Sequence, residues 1–451
     1  MRLTLIQPAI GRKPGESYMR TWQMEPLPIA ALKALTPADI EVSFHDDRME
    51  AIPFDRPADL VALPIETYTA KRSYQIASEY RKRGVPVVMG GFHATLVPEE
   101  VSQYAEATVI GEAEAVWPEV IDDARHGRLQ KIYRAKGRPS LDGVRYDREI
   151  FRGRRYLSIG LVETGRGCRF PCEFCAVQTF FGQTHRRRPI DEIVAELSAL
   201  KREKKLFFFV DDNFAGSLEQ GKELLDALAP LDVRWVTQMS VNAAHDEDFV
   251  AHLARSGCRG VLIGFESLDR ETLRAMGKKF NSAGGGYGPA LANLRRHGIR
   301  VYGTFIFGYD SDTEEAFDAA VDFATEHRFF LSAFNHLTPF PGTPLYKRLS
   351  EEQRLTYDAW WLDDGYSYNT LPFRPRGLAP EEISRLCVKA RQRFYGLGNM
   401  LKRGFDAVNR ADPFMFRAFF IINAMHRTEV AKRDHLPFGD PAWQGQLIKA
   451  V

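Results

Sequence analysis

Residues 165–178 read GRGCRFPCEFCAVQ, and the three cysteines in that stretch, Cys168, Cys172 and Cys175, decide how the rest of the chain is read. Thiolate is the usual protein ligand of iron–sulfur clusters. Three thiols within the eight residues from 168 to 175 can wrap one face of a cubane without help from distant segments. The spacing leaves a fourth iron with no cysteine, an open position of the kind a metal needs in order to bind and act on a substrate. The competing reading is a structural zinc site or a non-catalytic metal module, and structural zinc asks for four ligands. Cys258 and Cys387, in HLARSGCRGVLI and ISRLCVKA, lie far away in amphipathic settings, where a buried thiol acts as a small hydrophobe.

Outward from the cysteines the pattern is a β-α series. Strands are expected at YLSIGLVET, KLFFFVDD, VRWVTQMS, GVLIGFES, VYGTFIFGY and FLSAFNHLTPF, with helical stretches such as PIDEIVAELSALKREK and EEAFDAAVDFATEH between them. Six such strands make a partial (β/α)6 barrel over residues 156–346. Upstream, RLTLIQPAI, PLPIAALKAL, IEVSFHDD, LVALPI, YQIASEYRKRG, VPVVMGG and ATVIGE alternate in the same manner. Continuous Val/Ile/Leu strands between helices indicate a parallel sheet covered on both faces, so residues 1–135 read as a doubly wound, flavodoxin-like α/β domain. Such sheets bind ligands at the carboxyl ends of their strands. Residues 136–155 mix Gly, Pro and charge without apolar periodicity and read as a linker. Past 346 the strand signals stop, and 347–451 reads as a mostly helical region that shapes the substrate pocket.

The 61 basic and 59 acidic residues nearly cancel, which removes any global drive toward nucleic acid or an anionic membrane. MRLTLIQPAIG reads as a first strand and not a signal peptide, and no run has the roughly 18 apolar residues of a spanning helix. The expectation is a cytoplasmic protein whose thiols stay reduced and free to bind metal.

The stretch 165–178 resembles the signature of the radical S-adenosylmethionine (SAM) superfamily, in which an aromatic residue precedes the third cysteine; Phe174 stands there. The resemblance implies a [4Fe–4S] cluster on Cys168, Cys172 and Cys175. Its open iron would bind the amino and carboxylate groups of SAM, and an external donor such as flavodoxin or ferredoxin would reduce it, releasing a 5′-deoxyadenosyl radical that abstracts hydrogen. It also implies SAM contacts at strand ends: Phe174 by the cluster, Gln238 and Ser240 in QMS, Glu266 and Ser267 in GFES, and Gly308 in TFIFGYD. A polar residue at a strand end is often only a helix cap, Asp211 and Asp212 of VDDN included.

The upstream region is similar to the cobalamin-binding domain found before many radical SAM enzymes. The match is carried by VPVVMGGFHATLVPEE (85–100) and ATVIGEAEAVWPEV (107–120). It implies cobalamin contacts at Thr67, Tyr68, Gly90, Gly91, Phe92, His93, Gly111 and Glu112. The alternative is a flavodoxin-like domain without a ligand. IGRKPGESYM lacks the Asp-x-His-x-x-Gly motif that supplies a lower axial histidine, so the lower face would meet some other group, and the turn Glu66–Thr69 is the place to look. His45 and His93 are expected to form hydrogen bonds and not to ligate.

With both cofactors, the resemblance implies transfer of a methyl group to an unactivated carbon, consuming two SAM molecules per turnover; related enzymes run cyclisations or oxidations. Hopanoid methylases and bacteriochlorophyll-pathway enzymes share this layout, which points to a lipid, tetrapyrrole or natural-product substrate. AWWLDDGYSY (359–368) and PFMFRAFFIINAMH (413–426) read in two ways. Trp360, Trp361, Phe414, Phe416 and Phe419 pack the C-terminal region onto the barrel, or the second run lies on a membrane surface, with Arg417 and Arg427 at its margins, to collect a lipid.

Overall fold

The computed structural model describes residues 1–450. Two six-stranded sheets carry it. The first contains β1 (Arg2–Gln7), β2 (Glu41–Asp46), β3 (Leu60–Pro64), β4 (Val87–Gly90), β5 (Ala107–Ile110) and β6 (Ile132–Arg134), in the order β2-β1-β3-β4-β5-β6. Every pairing in it is parallel. This is the flavodoxin-like order with one further strand at the edge. β1 shows why the run reads as unbroken hydrophobe: Leu3, Leu5 and Ile6 are all sealed, because helices cover both faces. Two separate apolar clusters, one around Leu63 and Tyr74 and one around Leu5 and Trp117, form on this sheet.

The second sheet takes β7 (Gly160–Val162), β8 (Phe207–Phe209), β9 (Trp235–Gln238), β10 (Cys258–Glu266), β11 (Arg300–Phe307) and β12 (Leu331–His336) in sequence order, all parallel. β7 and β12 do not pair, so the barrel stays open. Along β11 and β12, Phe305, Phe307 and Phe334 are buried outward under the helices. Tyr302, Thr304, Ile306, Ala333 and Asn335, on the opposite face, keep partial exposure. Side chains alternate across a strand, so the exposed set faces a hollow lumen.

The C-terminal region protects the open edge, where unpaired strand groups would otherwise recruit another chain. Tyr395, at the end of the helix Pro380–Phe394, donates to the Ser332 carbonyl of β12 at 2.8 Å. The buried Arg403 guanidinium donates to the Phe329 carbonyl at 2.9 Å and to the Phe394 carbonyl at 3.1 Å. The helix Pro413–Arg433 crosses the amino-terminal end of the barrel and buries Met415 and Phe419 there. Trp360 and Trp361 are buried, and their indoles donate to the Pro339 carbonyl at 2.9 Å and the Glu100 carboxylate at 3.0 Å. Packing therefore accounts for Trp360, Trp361 and Phe419, whereas Phe414 and Phe416 stay half-buried. Between the sheets, the short helix Arg148–Phe151 buries Phe151 against Phe44. Among the described residues, no helix is long and apolar enough to cross a membrane.

Candidate functional site

After β7 the chain forms a two-residue ladder, Gly165–Arg166 against Arg186–Arg187, that the sequence does not announce. Three consecutive residues at the carboxyl end of β8 then hold the cysteine loop. Asp211 accepts from the Thr164 amide at 2.7 Å and the Gly165 amide at 3.1 Å, and also from the Thr164 hydroxyl. Asp212 accepts from the Gly167 amide at 2.7 Å, and the Asn213 amide nitrogen lies 3.8 Å from Cys168 Sγ. Gly167 is obligatory: its φ is +91°, and an added Cβ would lie 2.2 Å from the Thr184 carbonyl oxygen. Burial pushes the Asp211 and Asp212 carboxyls up to about 6. They are therefore loop supports, where the sequence suggested helix caps.

On the other side of the loop, the Glu173 carboxylate accepts from Tyr309 Oη at 2.9 Å and from Arg348 at 2.8 Å. Cys175 opens the helix Ala176–Phe181. Burial raises all three thiols, Cys172 to about 12, so with no metal they are protonated. A bound cation draws such thiols to thiolate. Among the described residues, no three His, Cys, Asp or Glu side chains converge on a point that suits a single ion. Structural zinc asks for four ligands, whereas three thiols suit a cluster that keeps one iron open.

The remaining strand ends divide into two groups. The Ser240 amide donates to Asn213 Oδ1 at 3.1 Å, which links it through Asn213 to Cys168. Gln238 ends β9, and Phe174 lies 5.9 Å from the Lys278 ammonium. Glu266 is buried in the left-handed region at φ +64°, pairs with Lys278 at 2.6 Å and keeps Oε2 without a partner. Burial opposes the Lys278 charge, but the paired Glu266 carboxylate outweighs it and holds the ammonium above its usual range. Ser267 and Gly308 serve local turns: Ser267 Oγ accepts from the Asp269 amide at 3.1 Å, and the Gly308 amide donates to Asp312 at 2.7 Å.

The carboxyl ends of the two sheets face each other. Tyr68 Oη and Thr338 Oγ1 are 3.0 Å apart, the Phe92 ring stacks on Phe180 at 4.4 Å, and Glu112 accepts from Arg166 and Arg186 at 2.7 Å. Glu112 and His93 thus work between protein groups. His93 is sealed, with Nδ1 3.2 Å from Thr67 Oγ1 and Nε2 3.1 Å from Glu100. His45 Nδ1 faces Glu50 at 3.4 Å. Gly91, at φ +100°, would place a Cβ 2.9 Å from the Ile65 carbonyl, so its lack of a side chain lets the Ile65 strand end approach. Gly90 packs closely on Val109, and the Gly111 amide donates to Thr95 Oγ1 at 2.9 Å. Glu66, next to Thr67, has its carboxyl raised by desolvation.

Residues 162–324 match the radical SAM superfamily. The chain is 31% identical over 389 residues to bacteriochlorophyllide d C-12(1)-methyltransferase of Chlorobaculum tepidum, covering 84% of each. It is 30% identical over 349 residues to the C-8(2)-methyltransferase of the same organism, covering 74% of this chain and 77% of the relative. The chain belongs to the radical SAM superfamily. Its fold is also that of a solved radical SAM methyltransferase, TsrM from Kitasatospora setae with cobalamin and a [4Fe–4S] cluster bound. The TM-score is 0.66 at 18% identity, over 95% of this chain and 99% of TsrM.

Two residues at the carboxyl end of the barrel carry no mark in the sequence. Lys278 sits in a loop, AMGKKF, with nothing to set it apart from Lys279. His336 ends β12 fully buried, with both ring nitrogens unpartnered and Tyr368 edge-on at 6.1 Å; burial pushes it down to about 3, so it is a neutral imidazole.

Proposed function

We propose that this radical SAM enzyme is a cobalamin-dependent methyltransferase acting on an unactivated carbon of a tetrapyrrole, lipid or natural-product scaffold. The observation that carries this is the juxtaposition across the domain boundary: the cysteine loop of one sheet faces the ligand-binding edge of a flavodoxin-like sheet through Arg166–Glu112 and Phe180–Phe92. The methyltransferase relatives and the TsrM fold support it. When bound, a [4Fe–4S] cluster with SAM supplies one-electron chemistry and cobalamin supplies the methyl group.

The chain's own residues do the holding. Cys168, Cys172 and Cys175 ligate the cluster, and Asn213 donates toward Cys168 and fixes the Ser240 amide beside it. Glu266 offers its free oxygen toward SAM while Lys278 stabilises its charge. Glu66, Tyr68 and the Gly90–Gly91 backbone line the edge that receives cobalamin. His93 and His45 are engaged with protein groups, so neither is offered to the cobalt. A flavodoxin or ferredoxin supplies electrons.

Peripheral membrane contact fits one patch. Leu397, Leu401, Phe405 and Ile421 are exposed by 62, 52, 58 and 61%, with Lys402 and Arg417 beside them.

The test is anaerobic. Protein purified with hydroxocobalamin should retain cobalamin absorbance through gel filtration, and extracts of cells carrying the intact gene should contain a metabolite one methylene heavier than cells carrying Cys172→Ala. Retention of no cobalamin would overturn the cofactor assignment. A product with unchanged carbon count would replace methylation by cyclisation or oxidation.

A further inference from the structure

At the end of the barrel opposite the cysteine loop lies a cavity of about 220 Å³. It is larger than the roughly 150 Å³ apolar cavity known to take benzene. Its wall is apolar: Leu206, Phe208, Leu262 and Phe330 from the strand starts, closed by Met415 and Ile422 of the helix Pro413–Arg433. One charged residue lines it. Arg300, the first residue of β11, shares the lumen face with Tyr302 and is only 4% exposed.

The Arg300 guanidinium is poorly provided for. It donates to the Arg259 and Asn409 carbonyls at 3.3 and 3.4 Å, and its Nε has no partner. Asp412, whose charge it feels, pairs instead with Arg234 at 3.1 Å and Arg259 at 3.5 Å. Burial without an anion pushes Arg300 down to about 10. Arginine is the side chain suited to gripping a carboxylate, and it does so more strongly where water is excluded. An apolar chamber whose one charged lining residue is a buried arginine without an anion has the chemistry of a site for an amphiphilic acid. Above it, Thr304, Ala333 and Asn335 keep the lumen partly open toward the barrel mouth.

We propose that this cavity binds a carboxylate-terminated aliphatic chain, with its methylenes against Leu206, Leu262, Phe330 and Ile422 and its carboxylate on Arg300. Binding here needs neither cluster nor cobalamin, so failure of the methyl-transfer reading leaves it standing.

The experiment is calorimetric titration of the full-length protein with decanoate and with decan-1-ol. Wild type should bind decanoate one to one. Arg300→Gln should weaken decanoate at least tenfold and decanol little, Arg300→Lys should recover part of the loss, and Ile422→Trp, which fills the chamber from the helix side, should weaken both. Thermal melts identify a variant that has unfolded. Solvent extraction of the purified protein separates two sources: a released fatty acid marks a resident lipid, and a clean extract marks the chain of a transient ligand. Absence of decanoate binding to wild type, or equal affinity in wild type, Arg300→Gln and Ile422→Trp, would overturn the proposal.

Discussion

Arg166, two residues before Cys168, donates to Glu112 at 2.7 Å, and so ties the cysteine loop to the carboxyl edge of the N-terminal sheet. Glu112 also accepts from Arg186 at 2.7 Å, and all three side chains are largely buried. Glu112→Gln removes the charge that two arginines share, although Arg166 keeps Glu114 and Glu163. Losing one partner of such a buried, hydrogen-bonded pair costs about 1–3 kcal/mol. Urea unfolding should show that loss, and a midpoint equal to wild type would mean the contact is idle.

Asn213 donates to Cys168 Sγ at 3.8 Å and accepts the Ser240 amide at 3.1 Å. Hydrogen bonds to cluster sulfur raise the reduction potential, and losing an outer-shell partner costs roughly 10–100-fold in activity. Asn213→Asp keeps the acceptor and loses the donor. It should retain iron, show a more negative midpoint potential by spectroelectrochemistry and cleave SAM more slowly. An unchanged potential would rule out the hydrogen bond.

Asp312 accepts the Gly308 and Tyr309 amides, and burial raises its carboxyl from 3.8 to about 6. A carboxyl raised on folding binds its proton more tightly in the native state, so it loses stability as pH rises from about 4 to about 6. Asp312→Asn keeps an acceptor and removes the titration. Against wild type, the variant should gain progressively between pH 4 and 6, reaching about 3 kcal/mol at most above pH 6. A stability difference independent of pH would contradict the burial effect.

The exposed patch predicts association with lipid. Burying one Leu or Phe contributes about 1.5–3 kcal/mol. Leu401→Ser and Phe405→Ser should therefore each lower partition onto anionic vesicles roughly tenfold or more in a sedimentation assay. Wild type that stays unbound at low salt would limit the patch to some other contact.

What the sequence made legible followed from local chemistry. β1, β3 and β11 read as strands because their apolar runs have the right length, and Cys168, Cys172 and Cys175 read as a unit because their ligand spacing is short-range. The supports of the site are long-range. Asp211 and Asp212 look like helix caps in the sequence because the amides they accept from lie 45 to 47 residues away. Glu112 shows no sign in the sequence of its pairs with Arg166 and Arg186, and Arg300 reads as an ordinary strand start until the cavity beside it is seen. Trp360 reads as packing the C-terminal region, and its burial and its bond to the Pro339 carbonyl agree.

The most direct test of the enzyme assignment is SAM cleavage by the reconstituted, dithionite-reduced protein under strict anaerobiosis, followed as 5′-deoxyadenosine by mass spectrometry. The account predicts about four irons and four sulfides per chain, with 5′-deoxyadenosine formed by wild type and abolished by Cys168→Ala, Cys172→Ala or Cys175→Ala. Wild-type protein that carries the full cluster and forms no 5′-deoxyadenosine would contradict it.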